Sequence, residues 1–227
     1  MRSILRYPVF STKGAKMRDT VSLPLRDRDQ AAHLLADRLD AWRGRNPLVL
    51  AIPRGAVPMG RIIADRLDAQ LDVVLVRKIP SAIDPELAVG AVDEHGNREL
   101  APWFPRARTS MDWVEQQTAG QLALMRQRRA AYGPAAPVAG RCVIVVDDGL
   151  ATGSTMASAL RALRAQRPER LVAAVPVASR EALELIAPLC DETVCLAVPP
   201  DFTAVSRCYE TFPQVEDAAA IALLRRP

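Results

Sequence analysis

The sequence is poor in the residues that build most metal and redox sites. It has two histidines, His33 and His95, and four cysteines, Cys142, Cys190, Cys195 and Cys208. No two cysteines are spaced as a CxxC pair, so a zinc centre is not expected. The cysteines read as small buried residues of a reduced compartment. No apolar run approaches the ~20 residues that a membrane-spanning helix needs. The opening residues lack the continuous apolar stretch of a secretory signal. A cytoplasmic protein without a membrane partner is expected. There is also no G-x-G-x-x-G turn, which argues against a dinucleotide-binding protein.

Acids are missing from the N-terminus. Arg2, Arg6, Lys13 and Lys16 precede Met17 with no carboxylate among them. The formal net charge is +4, so the rest of the chain is formally neutral. The basic balance therefore belongs to the tail and does not argue for a nucleic-acid partner. Residues 1–20 read as a basic, disordered extension, with Met17 as an alternative start. Residues 21–227 read as one domain. At 49% hydrophobic residues, the chain can bury a sizeable core.

The periodicities alternate between strand and helix. Asp27 or Asp29 suits the cap of a helix through Ala31, Leu34, Leu35, Leu39 and Trp42, with Gly44 as its stop. Leu48 to Ile52 is apolar without alternation, as in a strand buried on both faces. A tight Pro53-Arg54-Gly55-Ala56 loop follows, and Pro58 suits the first turn of the next helix. Asp72 to Val76 and Leu87 to Val92 read as strands, and Glu94 to Thr109 as a mobile loop. Ser110 or Asp112 opens a long helix to Tyr132, whose Arg126, Arg128 and Arg129 read as a solvated face. Val143–Val146, Leu171–Val177 and Thr193–Val198 are further strands. Helices are expected near 155–166, 181–187 and 218–224. This alternation predicts a doubly wound parallel sheet of about five strands. Ligands of such sheets sit at the carboxyl ends of the strands.

The segment from Val143 to Thr155 carries the chemistry. Four apolar residues deliver Asp147 to the edge of the sheet. Two adjacent carboxylates, Asp147 and Asp148, repel each other unless a cation or hydroxyl donors relieve them. Ala151, Thr152, Gly153, Ser154 and Thr155 then lead into a helix. Their backbone N–H groups, their hydroxyls and the helix N-terminus form an anion site. Carboxylates for sugar hydroxyls beside a phosphate nest describe a ribose 5-phosphate site. The bland alternative is an acidic strand end before a capped helix. Arg54 adds a fixed charge to a second strand-to-helix turn. Arg77 and Lys78 read as a basic strand end that is either solvated or functional. Glu94 and His95 are candidates for a proton transfer, and Phe202 and Tyr209 for stacking on a base. Surface and core roles explain these four at least as well.

The Asp147–Thr155 string resembles the 5-phosphoribosyl-1-pyrophosphate (PRPP) motif of the type I phosphoribosyltransferases. Pro53-Arg54-Gly55, Val76-Arg77-Lys78 and Tyr209-Glu210-Thr211-Phe212-Pro213 resemble one bacterial branch without an assigned substrate. The resemblance implies the type I fold, with a small hood built from the N-terminal helix region and the C-terminal tail. It implies that Asp147 and Asp148 hold the ribose hydroxyls and Mg²⁺, and that Ala151 to Thr155 wrap the 5-phosphate. It implies that Arg54, Gly55, Ala56, Arg77 and Lys78 meet the pyrophosphate, with Asp147, Asp148 and Lys78 as the catalytic set. Members often carry a non-proline cis peptide at the Arg54 loop. The implied reaction transfers ribose 5-phosphate from PRPP to a ring nitrogen of an unidentified acceptor and releases pyrophosphate.

One residue departs from a known subgroup. Hypoxanthine-guanine enzymes place an acid where Ala151 stands. The loop from Asp147 to Met156 looks more like that of the adenine enzymes, but the base-binding segments do not match. The alternative function is a PRPP- or nucleotide-sensing regulator without turnover. Such regulators often append a DNA-binding module, for which about twenty residues before the domain are too few. A homodimer is allowed by the sequence.

Overall fold

The computed structural model describes residues 5–8, 10–11, 20–85 and 87–225. In chain order the elements are β1 (Leu5–Pro8), β2 (Phe10–Ser11), β3 (Thr20–Leu23), α1 (Arg28–Arg38), β4 (Leu48–Ala51) and α2 (Val57–Leu67). Then come β5 (Gln70–Val73), β6 (Val76–Pro80), β7 (Ala88–Asp93), β8 (Arg98–Leu100) and α3 (Met111–Tyr132). The last are β9 (Cys142–Val146), α4 (Ser154–Ala165), β10 (Arg170–Val177), α5 (Arg180–Ile186), β11 (Glu192–Ala197) and α6 (Asp217–Leu224). The chain divides into two compact units, one of residues 1–74 with 136–227 and one of 75–135.

The first unit is built on a six-stranded sheet of order β2-β11-β10-β9-β4-β5. Five strands are parallel, and β2 adds antiparallel to the β11 edge. Every residue of β4 and β9 is buried, which is why their sequences are continuously apolar rather than alternating. Progress from β4 to β5 and from β9 to β10 runs outward in opposite directions. Right-handed crossovers therefore place α2 and α4 on opposite faces. α1 and α6 pack on α2, and α5 packs on α4. The strand order reverses between β9 and β4, and doubly wound sheets bind their ligands at the carboxyl ends of the strands at such a switch point. The expected parallel sheet is thus present.

Local signals set the helix ends. The Asp27 side chain accepts a hydrogen bond from Gln30 N and caps α1. Pro58 lies in the first turn of α2, where its missing N–H costs nothing. The tail pairs with the segment before α1. Leu25 N donates to Cys208 O at 2.8 Å, Glu210 N to Leu25 O at 2.7 Å, and Thr211 N to Arg26 O at 2.9 Å. These segments belong to the first unit.

Leu5–Pro8 and Phe10–Ser11 are strands, paired with β3 and β11. They fall within the segment read from sequence as a disordered extension. Arg2, Lys13, Lys16 and Met17 lie outside the described residues.

The second unit is an antiparallel sheet of order β6-β7-β8 backed by α3. This corrects two expectations. The apolar run Val73-Val74-Leu75-Val76 reads as one strand, yet β5 ends at Val73 and β6 starts at Val76 with β7 as its partner. The run contains no breaker, and the partner, not the local sequence, divides it. Glu94 to Thr109 is likewise not a plain loop, because Arg98–Leu100 pairs with β7. Its turn is organised by Asp93, whose Oδ1 accepts from His95 N and Asn97 N, both at 2.9 Å. Ser110 caps α3 through Trp113 N. Among the described residues, no helix is long and apolar enough to cross a membrane.

Candidate functional site

β4 and β9 are neighbours in register, with Ala51 opposite Val146. Their continuations, the Pro53–Ala56 turn and the Asp147–Thr155 segment, therefore leave the sheet side by side. Asp148 and Gly55 meet there. A Cβ built on Gly55 would lie 2.2 Å from Asp148 Oδ2 and 3.1 Å from its Cγ. Gly55 is required for that approach. The Pro53–Arg54 peptide bond is cis, as the family resemblance implies. Arg54 reaches Asp217, at the start of α6, with Nη1 3.5 Å from Oδ2.

Asp147 and Asp148 stand at the end of β9. Asp148 N donates to Asp147 Oδ1 at 2.9 Å. Asp147 keeps some surface open to solvent while its carboxyl lies deep among protein atoms. That burial, reinforced by the charge of Asp148, raises its pKa well above the ordinary carboxylate range. Burial raises Asp148 as well, and the hydrogen bond and charge of Arg28 oppose the rise. The pair is thus held where two negative charges are costly without a counter-charge.

Arg28 supplies one, and the sequence reading missed it. Its Nε and Nη2 donate to Asp148 Oδ2 at 3.0 and 2.8 Å. The two side chains are 9% and 16% exposed. A signal was present. Arg28 precedes Ala31, Ala32 and Leu35 by three, four and seven residues, and all three are buried. A charge on the inward face of a helix needs a buried partner. Tyr209, a stacking candidate, is buried instead, and its hydroxyl donates to Asp148 O at 2.7 Å.

The phosphate-nest segment runs into α4. Gly153 is its N-cap at φ +71° and offers no side-chain cap. The left-handed conformation suits glycine, and a Cβ there would lie 3.1 Å from Ala182 O. Thr152 Oγ1 and Ser154 Oγ are 3.0 Å apart, a pair of hydroxyls beside an uncapped helix start. Ser179 Oγ donates to Ala151 O at 2.8 Å and anchors the loop to the start of α5. Ala151 and Thr152 are exposed, Ser154 and Thr155 partly so. Such a start offers backbone N–H groups and a positive dipole end to an anion.

Phe202, the other stacking candidate, is half-buried in the first unit, and the remaining candidates lie in the second. Lys78 is exposed and Arg77 half-buried, and both sit within β6, not at a parallel strand end. Arg77 Nε donates to Gln121 Oε1 at 2.8 Å, and burial followed by the Arg128 charge lowers its pKa. Glu94 is held by Arg129, whose Nε and Nη2 lie 2.6 and 2.7 Å from its two carboxylate oxygens. That pairing removes Glu94 as a free base and Arg129 from the solvated face. His95 is exposed in the β7–β8 turn. All four cysteines are free thiols. Burial raises Cys195 to about 12 and Cys142 to about 11, so both are inert thiols.

A family model of the phosphoribosyl transferase domain matches residues 27–208. The chain belongs to the phosphoribosyltransferase family. Two Mycobacterium tuberculosis relatives, each named provisionally as a phosphoribosyl transferase, are 38% identical over 204 residues. That alignment takes in 88% of this phosphoribosyltransferase-family chain and 46% of theirs, so the chain spans about half their length. The crystal structure of TT1426 from Thermus thermophilus is 41% identical, with a TM-score of 0.80. The match covers 89% of this chain and 98% of that one.

Among the described residues, no group of three or more acids, histidines or cysteines could hold a metal. A hard divalent cation with substrate oxygens in its shell needs only one or two carboxylates. Asp147 and Asp148 fit that need.

Proposed function

We propose that the chain is a phosphoribosyltransferase that binds PRPP with Mg²⁺ and transfers ribose 5-phosphate to a nitrogen of a nucleobase-like acceptor. One juxtaposition carries the reading. The half-buried Asp147–Asp148 pair, with Asp148 against the Gly55 turn, leads into the uncapped start of α4. In this reading the two acids accept hydrogen bonds from the ribose hydroxyls and stabilise positive charge developing on the sugar, as expected for glycosyl transfer. Thr152, Ser154, Thr155 and the α4 N–H groups hold the 5-phosphate, with Ala151 and Gly153 allowing its close approach. Arg54, Gly55 and Ala56 receive the pyrophosphate; for Arg77 and Lys78 that role is carried by the family resemblance alone. Asp147 and Asp148 would hold Mg²⁺, which when bound neutralises charge on the leaving group. A cytoplasmic location accords with these substrates.

The test is a panel of purine and pyrimidine bases with PRPP and Mg²⁺, read by pyrophosphate release. Base-dependent release is expected. PRPP binding without release from any base would favour a PRPP-sensing regulator, and absence of binding would overturn both readings.

A further inference from the structure

Each of the three nitrogens of the Arg28 guanidinium donates a hydrogen bond. Besides the two bonds to Asp148 Oδ2, Nη1 donates to Pro213 O at 2.6 Å. The guanidinium carbon lies 3.7 Å from the centroid of the Phe212 ring. Phe212 packs against Tyr209 with ring centroids 4.8 Å apart. Tyr209 in turn holds Asp148 through its backbone carbonyl. The contacts close a ring from the Asp148 carboxylate through Arg28, Phe212 and Tyr209 back to the Asp148 backbone.

Both bonds from Arg28 go to Oδ2, so that oxygen is committed while Oδ1 takes neither. A buried ion pair is a poor source of net stability compared with apolar packing. Its geometric effect is strong, because a planar guanidinium stacked on a ring has little freedom. A lysine at this position would keep the charge without the fork.

We propose that Arg28 is a positioning residue for the ribose end of the site, fixing the Asp148 carboxylate so that Oδ1 faces the ligand. The Tyr209–Pro213 segment fixes Arg28 in turn, which makes the C-terminal tail part of the site's support. The proposal rests on the reading of Asp148 as a ribose ligand, and the experiment separates the two.

Arg28→Met, Arg28→Lys, Asp148→Asn and the Arg28→Met/Asp148→Asn double variant are titrated with ribose 5-phosphate and with inorganic pyrophosphate. Circular dichroism checks that each is folded. Arg28→Met is expected to weaken ribose 5-phosphate by about tenfold and to leave pyrophosphate unchanged. The double variant should bind no more weakly than Asp148→Asn, because Arg28 acts through Asp148. Should Arg28→Met fail to fold, Arg28→Lys carries the test with a smaller loss. Unchanged ribose 5-phosphate affinity in a folded Arg28 variant, with a loss in Asp148→Asn, overturns the positioning role alone. A further full loss in the double variant also overturns it. Unchanged affinity in Asp148→Asn removes the ribose reading itself, and the proposal with it.

Discussion

Gly55→Ala is a one-carbon perturbation at the point where the two loops meet. The added Cβ would lie 2.2 Å from Asp148 Oδ2, 3.1 Å from Asp148 Cγ and 3.4 Å from Arg28 Nη2. Gly55 is not among the positive-φ residues, so the obstacle is the contact and not the backbone conformation. The carboxylate is pinned by Arg28 and cannot swing away without losing that pair. If the turn yields instead, overpacking costs about 1–3 kcal/mol. If the Arg28–Asp148 pair breaks, the cost approaches about 3–5 kcal/mol. At roughly 2–4 °C per kcal/mol for a chain of this size, the lower range lowers Tm by about 2–12 °C. PRPP affinity should fall in parallel, since either response moves Asp148. Differential scanning calorimetry and a PRPP titration read the two effects. Gly120→Ala is the control, because a Cβ there meets nothing within 4 Å, and a helical alanine should stabilise by about 0.5–1 kcal/mol. A Gly55→Ala protein with unchanged Tm and unchanged PRPP affinity would refute the close approach of the two loops.

Other perturbations have defined signs. Asp147 is raised in the folded chain, so the folded state holds more protons than the unfolded one above about pH 4. Stability should therefore fall as pH rises from about 4 through the raised folded value; Asp147→Asn should lessen that fall, Asp148 carrying the rest, and a parallel pH–Tm curve would contradict the burial. Tyr209→Phe deletes the donor to Asp148 O and should cost about 1 kcal/mol, read by urea unfolding, with no loss contradicting the bond. Thr155→Ala should weaken PRPP and a nucleoside monophosphate alike by about 1 kcal/mol or somewhat more. Lys78→Ala should weaken PRPP and pyrophosphate but spare the monophosphate, and an equal loss on the monophosphate would reassign Lys78. A chain starting at Met17 lacks β1 and β2, which pair with β3 and β11; its Tm should drop, and an unchanged melt would show those strands to be dispensable.

Much of the site was legible because it is local in sequence. The run Val143–Val146 ends at Asp147, and Gly153 precedes α4, so strand end, acids and nest follow from thirteen consecutive residues. Gly55 was legible as a turn, but its contact with Asp148 joins two neighbouring strands and has no local signature. Arg28 lies 120 residues from Asp148, and only its place on the buried face of α1 hinted at a partner. The division between β5 and β6 was illegible for a related reason. Val73 to Val76 is equally apolar throughout, and pairing with β4 or with β7 is decided by tertiary structure. Glu94 and Arg129 read as solvated because each is charged, and their bond spans 35 residues.

The central claim is that Asp147 and Asp148 form the ribose end of a PRPP site. Its most direct test is calorimetric titration of PRPP with Mg²⁺ into the wild-type chain and into the Asp147→Asn/Asp148→Asn variant. Saturable binding to the wild type is predicted, together with loss of binding in a variant that still melts cooperatively. Equal PRPP affinity in the two folded proteins would contradict the claim.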